Sequence, residues 1–500
     1  MLLRNKQLMI YTVTCKFACV CILAILITLL SSANVGLKAE AASVWNENRQ
    51  VRVGNVSKDV KLVFVNPSNK RIEIRHVLAD DQIGRTESLE SMAKRMGAIA
   101  AINGTFFNAY TDDKQPHGVI QHNGHLLHNG TTGSVAGITG EQRLVIANVL
   151  PQIAGSKNGT AYGWSAWGLN HDTTTAFPTA VMIFTPEYKG QMTAGENAKS
   201  VVVEHGKVTA IVEQHVTIPE NGYIIRVGNQ VSDYLANYFQ VGDIVDYRVE
   251  YTATTPSETV DWGRVRYAVG AGPILIHKGQ VAIDFERDKM PDPKLTTEAG
   301  MRSFIGIRSD GVIGIGSVNS VTISQLAQIA KELGFVEAMN LDGGASSGIY
   351  YRGAYLRQPG RELSNALVII EHPQPIPRIA VNGTELFLDV LPYMGFVQGD
   401  SERGVTMIPV RGVLEQTGAD ITWNGSDRAV VAKRGDILIE LQVDSQIAKV
   451  NGKEFYLEVP ATIRGNRVFI PIRFMSEALG DSVSWDQRAY MVSIRENTNQ

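Results

Sequence analysis

Cysteine is nearly absent from this 500-residue chain, and its placement matters more than its count. All three cysteines, Cys15, Cys19 and Cys21, lie near the N-terminus, and none follows. Past that point disulfides, zinc–thiolate sites and cysteine nucleophiles are excluded. An apolar run long enough for a membrane span is lacking too. Phe17 to Leu30 covers 14 residues, short of the about 20 that a span requires. Arg4, Lys6 and Lys16 supply positive charge around this run, and Ala39-Glu40-Ala41 offers a small-x-small cleavage site, so residues 1–41 read as a signal peptide. A secreted chain without cysteine suits a bacterium. Excess positive charge is a third absence. The formal charge of −3 becomes −6 once residues 1–41 are removed (43 Lys+Arg against 49 Asp+Glu). Nucleic acid is therefore not the expected main partner, although a local cationic pocket for phosphate remains compatible.

What is present divides the chain. His372-Pro373-Gln374-Pro375-Ile376-Pro377-Arg378 packs three prolines into five positions and reads as an extended linker, residues 373–378, between segments 42–372 and 379–500. The first segment carries short β-branched runs such as Val201-Val202-Val203, with few helical patterns, Ser88 to Met96 and Thr322 to Leu333. These predict an α+β fold with a mixed, mostly antiparallel sheet. The tail repeats itself. Met407-Ile408-Pro409-Val410-Arg411, Gly418 and Trp423 recur as Phe469-Ile470-Pro471-Ile472-Arg473, Gly480 and Trp485, each 62 residues on. Each copy reads as an extended entry, a helix and a Trp-bearing strand, and the two together predict one small duplicated α+β unit.

One motif stands out. Phe335 to Leu341 reads as a short buried strand, and Asp342-Gly343-Gly344-Ala345-Ser346-Ser347-Gly348 follows at its carboxyl end, a favoured place for sites on α/β scaffolds. A tight turn with a structural Asp is the plainer alternative. Other blocks accompany it: Ala100 to Asn108, His117-Gly118-Val119-Ile120, Ile183 to Tyr188, Val269 to Leu275, and Met301 to Ile307. Their order and texture over about residues 50–371 resemble the phosphodiester glycosidase family. The tail resembles the stalk module of secreted Gram-positive proteins, labelled copper amine oxidase N-terminal-like, which implies a Gram-positive source. From Ile379 to Gln500 there is neither His nor Cys, the ligands copper sites generally need, so no copper is expected and the tail reads as non-catalytic, a spacer or an envelope attachment.

The resemblance implies a secreted hydrolase that frees a sugar, of N-acetylglucosamine type, from a sugar 1-phosphodiester in envelope or extracellular glycans, without a cofactor. A non-catalytic glycan-binding protein and a glycan-processing transferase using the same pocket are the alternatives. Such chemistry needs a carboxylate near the anomeric carbon, donors around the phosphate and a means of activating water. Asp342 is the expected carboxylate. Gly343, Gly344 and Ser346 are expected to offer main-chain N–H groups to anionic oxygen, with Ser347 adding a hydroxyl. Arg302 is the expected phosphate ligand, by its two-pronged guanidinium, with a structural ion pair as the alternative. Asn103 is expected to hold a sugar hydroxyl or orient a catalytic acid, with Gly104 permitting the turn. Glu187 is the second carboxylate to consider, and Gly272 is expected to let the backbone pass close to the site. His117, His122, His125 and His128 fall within twelve residues, but Asn123-Gly124 reads as a hairpin turn that scatters them over both faces. No metal site is expected there, and His117 alone is kept as a proton donor or phosphate ligand.

Overall fold

The computed structural model describes residues 42–130, 133–171, 179–189, 198–213, 216–228, 237–253 and 261–497. The expected signal peptide lies outside them. The α+β, mostly antiparallel reading holds. The central sheet has seven strands in the order Val44–Val53, Val56–Val65, Ile313–Val321, Gly300–Arg308, Phe335–Asn340, Ile274–His277 and Gln280–Val281. A five-stranded sheet runs Ala354–Arg357, Ile349–Tyr351, Ala100–Asn103, Asn365–Glu371 and Ile72–Leu78. Alternation assigns their faces. Ile305, Ile315 and Met339 of the first meet Ile102, Ile349, Leu367 and Ile369 of the second, and Ile138, Tyr267 and Val269 of a third sheet complete this core.

Each of the first two sheets buries its other face under a helix. Ile323–Glu332 lays Leu326, Ile329 and Ala330 on Phe304, Phe335 and Leu275. Thr322 caps it with a full capping box to Gln325, which is why its start was legible. Leu89–Arg95, capped by Ser88, puts Leu89, Met92 and Ala93 on Ala101, Val368 and Ile370. Asn123 and Gly124 both take positive φ and close the hairpin between Ile120–His122 and His125–His128.

The repeat in the tail is a repeat in space. Met407, Ile408 and Pro409 pair antiparallel with Pro471, Ile470 and Phe469, so the equivalent residues Ile408 and Ile470 face each other across a local pseudo-twofold. Helices Val410–Leu414 and Ile472–Leu479 follow, and left-handed Gly418 and Gly480 close the two helical stretches. These residues share an apolar core of their own.

Specific contacts join residues beyond 372 to those before. Arg266 donates from Nε to Asn123 Oδ1 (3.1 Å) and from Nη2 to the Leu388 carbonyl (3.1 Å). Arg378 pairs with both Glu385 and Glu141. Glu73, 1% exposed, accepts from Tyr267 Oη (3.0 Å) and from His372 Nε2 (3.0 Å). Burial alone would raise the Glu73 pKa. The His372 hydrogen bond and the charges of Arg266 and Arg75 outweigh it and hold the carboxyl at about 2.

Candidate active site

Strand Phe335–Asn340 is held on both edges near its end. Phe304 and Ile305 pair with Asn340 and Met339 on one side. On the other, Asn340 exchanges bonds with the backbone of Gly272 and Pro273: its Nδ2 donates to Gly272 O at 2.7 Å, and the Gly272 N–H donates to Asn340 O at 2.8 Å. Gly272 thus steadies the strand leading to Asp342. Past the strand, Leu341 N–H donates to Ser303 O (2.8 Å) and Asp342 N–H to Gly104 O (3.1 Å). The chain then makes one tight helical turn, Gly344–Ser346.

Asn103, 1% exposed, staples this loop at both ends. Its Nδ2 donates to the Asp342 carbonyl (2.7 Å), and its Oδ1 accepts from the Gly348 N–H (3.0 Å). The amide is thereby committed to the loop. Both bonds go to main-chain atoms, one at Asp342 and one at Gly348. Gly104 is needed for space: a Cβ there would lie 1.9 Å from Asn365 Oδ1, which already accepts from the Thr105 N–H. We expect Gly104→Ala to destabilise the protein by about 2 kcal/mol, the range for overpacking, read as a lowered denaturation midpoint with an unchanged m-value. The neighbouring glycines differ in kind. Gly343 is extended but a Cβ would meet Met301 O at 2.8 Å, whereas Gly344 has open space and a φ of 60°.

The Asp342 side chain is partly buried and accepts from the Gly343 N–H (2.8 Å) and from Ser346. Burial raises its pKa to about 6 against the lowering influence of Ser346, Gly343, Arg361 and Arg302, in that order. A carboxyl poised near neutrality at a strand end is a functional-site signature with a physical cause.

The two guanidiniums play different parts. Arg302 is 5% exposed and donates to three carbonyls, those of Lys294 (2.6 Å), Glu298 (2.8 Å) and Val321 (3.4 Å). It braces the turn around Pro293–Thr296 against the sheet while its charge reaches Asp342. Arg361 was not among the residues read from the sequence. It follows Pro359-Gly360, and Gly360 N–H donates to Ala345 O (2.7 Å), which ties this segment to the Asp342 loop. Its Nη2 donates to Tyr110 Oη (2.9 Å), and its guanidinium lies 4.9 Å from the centre of that ring. Tyr110 is exposed at 88%, so the pair forms an open cationic rim beside the carboxyl.

Of the remaining expected residues, His117 and Glu187 have other partners. His117 bonds through Nε2 to Asn108 Oδ1 (2.7 Å), and burial lowers its pKa despite nearby Asp113, which favours the neutral ring. It sits at the far end of the loop that begins at Gly104. Glu187 accepts from Thr185 Oγ1, and its carbonyl accepts from Ile83, a neighbourhood that among the described residues shares no partner with the Asp342 carboxyl. Ser347 is fully buried, its hydroxyl without a hydrogen-bond partner among the described residues. The structure thus gathers Asn103, Gly104, Arg302, Asp342, Gly343, Gly344 and Ser346, and adds Arg361.

Residues 197–370 match the family model for phosphodiester glycosidase, and residues 380–494 match that for the copper amine oxidase N-terminal domain. Asp342, Arg302 and Arg361 lie within the first match, and Asn103, His117 and Glu187 precede it. No curated protein matches the chain. A hypothetical protein from Synechocystis has a similar fold (TM-score 0.59, 22% identity), with the match covering 65% of this chain and 62% of that one. The chain therefore spans under two thirds of that protein's length. A Burkholderia pseudomallei protein described as exported aligns at TM-score 0.53 and 17% identity, covering 63% of this chain and 74% of that one. The catalytic domain of zebrafish N-acetylglucosamine-1-phosphodiester alpha-N-acetylglucosaminidase, auto-inhibited by its pro-peptide, aligns at TM-score 0.37 and 13% identity, covering 67% and 85%. Residues 197–370 are thus similar to the phosphodiester glycosidase family, and residues 380–494 to the copper amine oxidase N-terminal domain.

Proposed function

We propose that this protein is a hydrolase that releases a sugar, of N-acetylglucosamine type, from a sugar 1-phosphodiester, and that it does so outside the cell on phosphodiester-linked glycans. The observation that carries this reading is the Asp342 carboxyl, raised to about 6 at a strand end, with the Arg361–Tyr110 pair beside it. The bond that breaks joins the anomeric carbon to the phosphate oxygen, and the phosphate leaves with the electron pair. A phosphodiester is an acidic leaving group and needs little protonation, so a single carboxylate suffices. Ionised Asp342 counters the positive charge building at the anomeric carbon and accepts the proton of the incoming water. Arg361 takes the charge developing on the phosphate, the task expected of Arg302, whose hydrogen bonds to three carbonyls suit it to bracing. Asn103 and Gly104 act as positioning residues for the Asp342 loop.

The copper in the second domain's family name has no counterpart in the residues. From 379 to 500 the sequence holds no His or Cys, and no step is routed through a metal.

The test is turnover. The full chain is incubated with UDP-N-acetylglucosamine and other N-acetylglucosamine 1-phosphodiesters, and free sugar is assayed. Release of sugar supports the reading, and no release from folded protein across the panel overturns it. Arg361→Gln is expected to lower kcat/KM on the order of 100-fold, the scale for losing one preorganised charge stabiliser, while Arg302→Gln is expected to lower thermal stability as well. A steady-state comparison of the two separates the phosphate ligand from the brace.

A further inference from the structure

We propose that the C-terminal unit carries a glycan-binding groove, built around Trp423, for a phosphate-bearing sugar chain. The groove has a volume of about 310 Å³, enough for one or two sugar rings. Val410 and Val430 are buried beneath it, Trp423 stands 41% exposed on one side, and Arg411 and Arg467 line its edge. An indole offers an apolar face to the C–H face of a sugar. The two guanidiniums among the lining residues, Arg411 on the helix and Arg467 on the hairpin, offer donors to a phosphate. Their existing partners, Glu415 at 3.6 Å from Arg411 and Asp389 at 2.6 Å from Arg467, form solvent-exposed pairs of the kind that contribute little and yield to a better anion.

The duplication supplies an internal comparison. Val410, Arg411, Ile421, Trp423 and Val430 recur, 62 residues on, as Ile472, Arg473, Val483, Trp485 and Val492. The second tryptophan is used locally. Trp485 packs edge-on against Tyr490 with centroids 4.8 Å apart, and its Nε1 donates to Gln487 (2.8 Å). At the equivalent places the first copy has Arg428 and Gly425, which offer neither the ring nor the acceptor. The first copy therefore leaves its indole to the groove, and the hairpin of Thr462–Arg464 and Arg467–Pro471 from the second copy closes the opposite wall through Ile463 and Val468.

The choice of a phosphate-bearing glycan rests partly on the proposed function, but the groove itself does not. The experiment is calorimetric titration of the full chain carrying Asp342→Asn, so that the probe is not consumed. The probe is a phosphodiester-linked N-acetylglucosamine oligosaccharide, with the same sugar in neutral linkage as control. Trp423→Ala is expected to weaken one class of sites at least tenfold, and Trp485→Ala to leave the titration unchanged. Arg411→Gln with Arg467→Gln is expected to erase the preference for the phosphorylated probe. Equal titrations of the Trp423→Ala protein and its parent, or equal binding of the neutral oligosaccharide by the parent, would overturn the proposal. Turnover by the Asp342-containing chain is measured alongside, so a failed catalytic reading and a failed groove are told apart.

Discussion

Asp342→Asn is expected to reduce sugar release by about 1,000-fold or more, the scale on which transition-state charge stabilisation is lost, and at the same time to raise the melting temperature at pH 7.5. Both halves follow from the raised pKa of about 6. In the folded state the carboxyl prefers its proton more than it does in the unfolded chain, where an Asp titrates near 3.9. Its favourable contribution to folding is therefore complete below about pH 4 and is lost as pH rises through about 6. At pH 7.5 the ionised group works against folding by up to about 3 kcal/mol, from roughly two units at about 1.4 kcal/mol each. Asparagine removes that cost while keeping the shape. The melting-temperature gain should disappear at pH 4, and a scanning calorimetry pair at the two pH values checks it. The same ionisation governs the wild-type rate. Because the ionised form works, kcat/KM should fall tenfold per pH unit below about 6 and level off above it. A rate that instead declines above pH 6 would make Asp342 an acid and reverse its assigned role.

Glu73→Ala is expected to produce the largest loss of stability, about 3–5 kcal/mol, the cost of breaking a buried charge network from one side. Arg266 and Arg75 would keep their charge with the buried partner gone, and Tyr267 and His372 would lose their acceptor. The pH sign is opposite to that of Asp342. With the Glu73 pKa lowered to about 2, its contribution is present above the unfolded value near 4.5 and is lost as pH falls through 2. Chemical denaturation of wild type and variant should therefore differ most at neutral pH and converge in strong acid. Because His372 and Leu388 both take part in this neighbourhood, the variant should also become easier to cleave within residues 373–378.

Helices and the key strand were legible because local chemistry marks them. Ser88 and Thr322 cap, a left-handed Gly334 stops the second helix, and the strand before Asp342 ends in a fully buried run, Ala338 to Leu341. The tail's duplication was legible because an offset of 62 holds at every matched position, and it proved to be a spatial symmetry as well. Arg302 shows where such reading stops. An arginine opening an apolar strand invites a ligand, yet three of its donors go to carbonyls at Lys294, Glu298 and Val321, which only the folded turn brings within reach. Arg361 was missed for the converse reason. A charged residue between two strands, after Pro-Gly, looks like ordinary solvated loop, and only the Gly360–Ala345 and Tyr110 contacts give it a task. Asn103 lay between these cases. Its place after a strand was visible, but its two partners lie 239 and 245 residues away in the sequence.

That last separation has a consequence for timing. The loop bearing Asp342 is shaped by Asn103 and Gly104, which are made long before it, so no chain that ends before Gly348 can hold the loop at both ends. Contacts this distant in sequence also form slowly. On the export reading, a precursor kept unfolded for passage across the membrane is catalytically silent, and the nucleotide sugars of the cytoplasm, which carry the same kind of bond as the proposed substrate, pass it untouched. On that reading activity would begin only where the chain finishes folding, and compartment safety would be written into the order of its residues.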